Sequence, residues 1–304
     1  MGETDRVFRS GFAAIVGRTN VGKSTLMNHL IGMKIAITSN KPQTTRRRLK
    51  TVYTNDHGQI VFLDTPGIHL SHNKLSDYMD RVSFRSVEDV DLILFVVEPE
   101  TFIGKGEREM IERIVSSKKP VILVINKADK TDEEHIAKAE KTYREALDIA
   151  ECVPVSALKG TGIEKLTDVI ISHLPEGPML YDEDTLTDEP EREIVCEIVR
   201  EKALRNLRDE VPHGIAVITE SFKERDNGLV DIEAAIICER DSHKGIIIGK
   251  GGAMLKRIGT ESRKDIEELL QTHVNLKLFV KVRKDWRQNT GILKSLGYVE
   301  GDSR

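Results

Sequence analysis

Cysteine is scarce in this chain of 304 residues, and the three present, Cys152, Cys196 and Cys238, lie far apart with no C-x-x-C spacing. Neither a disulfide framework nor a zinc site is indicated, and each thiol is expected to pack as a small apolar side chain. Long hydrophobic runs are missing too. Nothing approaches the roughly 18 apolar residues that span a bilayer, so a soluble protein is expected. The opening Met1-Gly2-Glu3-Thr4-Asp5-Arg6 holds no apolar stretch, from which we expect no secretory signal and a cytoplasmic location. Formal charge is nearly balanced, at −4 overall, and selects no partner until it is divided along the chain. With 39% apolar residues, the chain can bury a sizeable core, in about two domains.

What is present is organised around Gly17-Arg18-Thr19-Asn20-Val21-Gly22-Lys23-Ser24, which follows the apolar run Phe12–Val16 and precedes Thr25-Leu26-Met27. A strand that stops at Gly17 and a helix that starts near Gly22 leave backbone N–H groups facing a concavity, and Lys23 adds a positive charge. The spacing G-x-x-x-x-G-K-S in this strand-turn-helix context is that of a phosphate-binding loop. A second apolar strand, Gln59–Leu63, ends on Asp64-Thr65-Pro66-Gly67. Asp64 there stands where a nucleotide-bound Mg²⁺ needs a carboxylate, and Gly67 lets the backbone approach a γ-phosphate.

Further apolar strands at 92–97, 121–125 and 152–155, with helical patterns around 107–115 and 133–150, predict a parallel sheet covered on both faces. Ligands of such sheets sit at the carboxyl ends of the strands. Asn126-Lys127-Ala128-Asp129 and Ser156-Ala157-Leu158 both follow strands directly. A carboxylate such as Asp129 can accept two hydrogen bonds from guanine, a pattern that adenine does not offer. Between helix and strand, Arg46-Arg47-Arg48 reads as a solvated cluster that could signal nucleotide state to RNA or to the second domain.

Three prolines and an acidic excess between Leu174 and Glu193 mark a linker. We expect a first domain over residues 1–178, a linker over 179–190 and a second domain over 191–304. The second half reads as a helix (194–207), two strands turning at Asp226-Asn227-Gly228, then Gly249-Lys250-Gly251-Gly252 between two helices, and a last strand at 276–282. A G-x-x-G loop between helices is the signature of a KH domain, α+β and of the bacterial arrangement, whose glycines admit a nucleic-acid backbone. Lys250, Lys256 and Arg257 are its candidate RNA contacts. From Arg240 to Lys294, 13 Lys and Arg stand against 6 Asp and Glu, a basic stretch inside an acidic protein. Trp286 could stack on a base, although packing is the commoner use of such a side chain.

The ordered set Gly17–Ser24, Thr44-Thr45, Asp64–Gly67, Asn126–Asp129 and Ser156-Ala157-Leu158 resembles a translation-factor-class GTPase domain. With Gln43-Thr44-Thr45-Arg46, Ile68-His69 and the G-x-x-G stretch added, nearly the whole chain resembles the Era family of bacterial GTPases. The resemblance implies an α/β domain with a mostly parallel six-stranded sheet followed by a KH domain. It implies GTP as substrate and Mg²⁺ as cofactor, with Lys23 on the β- and γ-phosphates. Ser24 and Thr45, or else Thr44, would ligate the metal and Asp64 would hold it through water. The loop residues Gly17 to Thr25 and Asp64, Thr65, Pro66, Gly67 and Ile68 would surround the nucleotide, together with Ser156. Asn126 and Asp129 would select guanine, Lys127 would flank the base, and Ala157 would donate its N–H.

Where many GTPases carry a water-orienting glutamine, this chain has Ile68, so slow intrinsic hydrolysis is expected. Relatives with such a replacement can use K⁺ held by an asparagine at the position of Asn20, which together with Lys23, Thr45 and Gly67 makes the candidate catalytic set. Thr19 stands where a proline is common. The resemblance further implies a monomer that binds the 3′ end of small-subunit rRNA, acts in assembly of the small ribosomal subunit and associates peripherally with the inner membrane. Rival readings are an RNA-binding assembly factor whose nucleotide is structural, or a GTPase acting on transfer RNA or membranes.

Overall fold

The structure, a computed structural model, describes residues 7–39, 41, 44–46, 48–64 and 73–298. Contacts divide these into two compact units.

The first unit is a six-stranded sheet in the order β2-β3-β1-β4-β5-β6. Its strands are β1 (Arg9–Val16), β2 (Leu49–Asn55), β3 (Gly58–Asp64), β4 (Leu92–Val97), β5 (Val121–Ile125) and β6 (Glu151–Pro154). Only β2, at the edge, runs antiparallel to its neighbour. Both faces are covered, which is why inner strands such as β4 and β5 read as unbroken apolar runs instead of alternating ones. Along β1, Ala13 and Ile15 enter one core with Leu26, Met27 and Leu166. Ala14 and Val16 enter the other with Phe95, Ile111 and Tyr143. Each fully buried Leu or Ile of these layers contributes about 1.5–3 kcal/mol.

Helices α1 (Lys23–Ile31), α2 (Lys74–Glu88), α3 (Lys105–Ser117) and α4 (Glu133–Arg144) connect the strands, and α5 (Ile163–His173) follows β6. Helix α2 is not among the sequence expectations. Its apolar positions Leu75, Tyr78, Met79 and Val82 do recur at helical spacing, but charged and serine neighbours dilute them. Helix α4 ends at Arg144, short of the expected Ala150, because Ala146 and Leu147 both donate to Tyr143 O and close a turn. The stretch expected as a linker has its backbone pinned to this unit. Ser10 N donates to Pro175 O (3.1 Å) and Val52 N to Leu186 O (2.9 Å), while the buried Gln59 amide donates to Tyr181 O and accepts from Leu180 N and Tyr181 N.

The second unit holds α6 (Glu191–Asn206), β7 (Ala216–Glu224), β8 (Val230–Cys238), α7 (Asp241–Ile248), α8 (Ala253–Leu270), β9 (Val274–Val282) and α9 (Thr290–Ser295). Its sheet runs β7-β8-β9, antiparallel then parallel. The turn at Asn227-Gly228 uses a left-handed glycine, φ +78°. Described residues of 37–44 and of 71–78 also cluster with this unit. There Thr38 donates its N–H (3.1 Å) and hydroxyl (3.0 Å) to the buried Glu201 on α6. Trp286 is fully buried, donates its indole N–H to Gly214 O at 3.0 Å and stacks on Tyr298. It is a packing residue, and base stacking by it is set aside. Cys196 and Cys238 are buried and Cys152 half-buried, all three as free thiols.

Candidate functional site

The phosphate loop joins the carboxyl end of β1 to the amino end of α1, as its spacing predicts. Gly22, in the left-handed region at φ +100°, caps α1, and a Cβ there would lie 2.2 Å from Asn126 Nδ2. At Gly17 a Cβ would lie 2.3 Å from Val96 O. These glycines are therefore demanded by the protein's own packing. Lys23 is 7% exposed, and its ammonium donates to Gly17 O and Arg18 O, each at 2.9 Å. Burial pushes its pKa down to about 8, against the opposing pull of Asp64. Arg18 is half-exposed, 3.8 Å from Glu100 and 3.7 Å from Glu107.

Three oxygens expected to hold a metal converge. Ser24 Oγ lies 3.3 Å from Thr45 Oγ1 and 3.4 Å from Asp64 Oδ2, and Thr45 Oγ1 lies 3.3 Å from Asp64 Oδ2. Thr44 instead turns its hydroxyl to Lys41 O at 2.6 Å, so the structure brings Thr45, and not Thr44, to this cluster. Mg²⁺ takes oxygen ligands at 2.0–2.1 Å in an octahedron whose neighbouring corners are about 3 Å apart, completed by water and phosphate. Two hydroxyls and a fully buried carboxylate in this geometry fit it. Among the described residues no group of three or more His, Cys, Asp or Glu forms an alternative metal site.

On the far side of the loop, Asn126 ties three motifs together. Its Nδ2 donates to Val21 O (2.7 Å) and its Oδ1 accepts from Ala157 N (2.9 Å). The Ala157 N–H, expected to face a base, is thus engaged within the protein, and a base oxygen there must share or displace it. Asp129 accepts from Ser156 Oγ at 2.7 Å, which holds its carboxyl below the usual carboxylate range, with Lys159 adding to the effect. Lys127, itself left-handed at φ +61°, donates to Asn20 O at 2.9 Å and pairs with Glu98. Glu98 belongs to no motif, and only its position one residue past a strand could have drawn attention to it.

Asn20 is exposed and left-handed, φ +67°. Thr19 is half-buried in the loop, and Thr25 is half-buried in the first turn of α1. Thr65, Pro66, Gly67 and Ile68 lie outside the described residues. The arginine cluster is not solvated as expected: Arg46 is 1% exposed, and Arg48 is half-buried, its pKa lowered by burial against the pull of Asp89, Asp188 and Tyr181. Arg47 lies outside the described residues.

In the second unit the loop Gly249–Gly252 separates α7 from α8. Gly249, Gly251 and Gly252 all have positive φ, at +74°, +60° and +80°. A Cβ on Gly249 would lie 2.7 Å from Met254 Cβ, whereas those on Gly251 and Gly252 would meet nothing within 4 Å. Lys250 and Lys256 are exposed. Arg257 is also exposed and pairs with Glu261 at 3.0 Å. α8 starts with no side-chain cap, leaving N–H groups at its amino end.

Residues 12–127 match the family described as 50S ribosome-binding GTPase and residues 210–287 the family described as KH domain. Among curated relatives, GTPase Era of Clostridium botulinum (strain Alaska E43) is 54% identical over 292 residues, covering 96% of this chain and 99% of its own. GTPase Era of Clostridium novyi (strain NT) is 51% identical and covered in full. Among solved structures, an Aquifex aeolicus Era variant bound to GDP·AlF4⁻ superposes with a TM-score of 0.91 at 40% identity, covering 96% of this chain and 99% of that one. An Era complex with MgGDPNP and nucleotides 1506–1542 of 16S ribosomal RNA gives the same values.

Proposed function

This chain belongs to the Era family of GTPases, and on that premise we propose that it hydrolyses GTP, with Mg²⁺, to control its binding of the 3′ end of small-subunit ribosomal RNA during maturation of the small ribosomal subunit. The observation that carries the reading is the meeting of Ser24, Thr45 and Asp64 oxygens beside Lys23, in one loop system with the Asn126–Asp129 and Ser156-Ala157 segments. Although one matching family is described by the 50S particle, the relative holding 16S rRNA matches over nearly its whole length. The small subunit is therefore the better-supported target.

In this reading Lys23 places its ammonium on the β- and γ-phosphates, and Ser24, Thr45 and Asp64 hold the metal. When bound, Mg²⁺ neutralises charge on the phosphate oxygens. Asn126 and Asp129 choose guanine, and Lys127 covers one face of the base. Ile68 cannot orient water, so hydrolysis is slow unless K⁺, held by Asn20, adds positive charge. The segment ahead of Thr45, in which Thr38 is held by Glu201 on α6, is the proposed route by which nucleotide state changes RNA binding. The nucleotide domain spans residues 1–178, the linker 179–190 and the KH domain 191–304, where Gly249, Lys250, Gly251, Gly252, Lys256 and Arg257 meet RNA. The protein is a cytoplasmic monomer with peripheral association at the inner membrane, a point that vesicle flotation tests.

The deciding experiment measures single-turnover GTP hydrolysis in K⁺ and in Na⁺, with and without an RNA of the 16S 3′ end, and RNA affinity in the GTP, GDP and empty states. Faster hydrolysis in K⁺, lost in Asn20→Ala, and RNA affinity that differs between nucleotide states support the reading. GTP that binds but turns over in none of these conditions favours a structural nucleotide instead.

A further inference from the structure

The guanine side of the site contains a carboxylate that no nucleotide motif includes. Strands β4 and β5 pair in parallel with Val97 opposite Ile125, and Asn126 N still donates to Val97 O at 2.8 Å. Glu98 and Lys127 therefore leave the sheet side by side, and Glu98 Oε1 forms an ion pair with Lys127 Nζ. The same ammonium donates to Asn20 O in the phosphate loop. Lys127 and Asn20 are both left-handed non-glycine residues, a strained arrangement that persists only where surrounding contacts hold it. The neighbouring Arg18 contacts to Glu100 and Glu107, at 3.7–3.8 Å with a half-exposed guanidinium, are looser. The Lys127 ammonium, at 27% exposure against 33% for its partner, is the better-held cation.

We infer that Glu98 is a positioning residue for guanine-nucleotide binding: its carboxylate holds the Lys127 ammonium on the Asn20 carbonyl, fixing at once the lysine stem that flanks the base and the backbone of the phosphate loop. Glu98 itself touches no nucleotide. The inference rests on the GTPase reading above and adds to it a residue outside the motifs. Because the brace acts on base and loop, its loss weakens GTP and GDP alike, mainly through faster dissociation. Guanine remains preferred over adenine, since Asp129 and Asn126 are untouched. A carboxylate near a polyphosphate also repels it, which makes the sign of the effect a real test.

The test uses the full chain and fluorescent GDP and GTP analogues, with dissociation rates by competition and thermal unfolding of the nucleotide-free protein. In Glu98→Ala, both nucleotides are expected to dissociate about tenfold faster, with the nucleotide-free unfolding midpoint unchanged. Glu98→Asp is expected to recover most of the loss and Glu98→Gln less. In a Lys127→Met background, Glu98→Ala is expected to change nothing further. Additive effects in that double-mutant cycle, tighter binding in Glu98→Ala, or a loss that tracks a lowered midpoint each overturn the inference. A wild-type chain that binds no guanine nucleotide overturns the GTPase reading itself, whereas normal wild-type binding with no change in Glu98→Ala overturns the Glu98 brace alone.

Discussion

Two loops in this chain set a lysine among glycines, and the glycines serve different ends. In Gly17–Ser24 the space that a side chain would fill is already taken by the protein, by Val96 O at one glycine and Asn126 Nδ2 at the other, and Lys23 is buried. In Gly249–Gly252 the last two glycines face open space and Lys250 is exposed. The first loop is a joint between motifs of one fold, while the outer half of the second is a bare surface, where the proposed reading puts RNA. Substitution in the first should therefore damage the site from within. In the outer half of the second it should damage binding more than folding.

Gly22→Ala tests the first half of that contrast and should have the largest effect. Its Cβ drives into Asn126, breaking the Asn126–Val21 bond at a backbone angle that L-residues avoid. We expect nucleotide affinity to fall more than a hundredfold and stability by about 2–4 kcal/mol, read by analogue titration and denaturant unfolding. Normal GDP binding in this variant would remove the packing argument.

The double substitution Gly251→Asp with Gly252→Asp tests the other half. Asp tolerates the left-handed region, so stability should drop by only about 1–3 kcal/mol. Two added negative charges at the phosphate-facing loop should cost RNA affinity on the order of a hundredfold, while GTP binding stays at the wild-type level. A parallel loss of GTP binding would show the two loops to be less separable than their packing indicates.

Gly249 sharpens the comparison, because it alone in the second loop is packed like the first. Gly249→Ala should lower stability by about 1–2 kcal/mol through its clash with Met254 and weaken RNA by a smaller factor than the aspartates. An unfolding midpoint equal to wild type would place Gly249 with its exposed neighbours.

The smallest effect on ligand binding concerns the buried lysine of the first loop. Lys23 has a folded pKa of about 8 against an ordinary 10.5, so between those values the unfolded chain holds more protons and stability of the nucleotide-free protein rises with pH, by up to about 3 kcal/mol in total. Phosphate binding needs the ammonium, so GTP binding at pH 9 should take up a proton, whereas at pH 7 it should not. Calorimetry in buffers of different ionisation enthalpy reads that uptake, and its persistence in Lys23→Met would assign it elsewhere.

Much of this molecule was legible because its signals are local. The phosphate loop, the strand ends that carry Asp64, Asn126 and Ser156, the Asn-Gly hairpin and the G-x-x-G turn all depend on residues adjacent in sequence, and the backbone geometry they need follows from side-chain size and hydrogen-bonding type. Helix α2 escaped because its apolar stripe is diluted, so that the burial of Leu75 and Met79 decides what propensity leaves open. Arg46 escaped for a related reason: charge in a sequence says solvent, and only packing can bury a guanidinium.

By itself, then, the amino-acid sequence determined the two-domain plan, the guanine-nucleotide chemistry and the G-x-x-G turn of the KH domain, since each rests on short motifs whose geometry is set within a few residues. Only the tertiary structure decided that Thr45 and not Thr44 joins Ser24 and Asp64, that Ala157 gives its N–H to Asn126, that Trp286 is core, and that Glu98 pairs with Lys127. Each of these depends on where a side chain from a distant segment ends up, and the distance between two atoms on separate elements is a property of the packed chain.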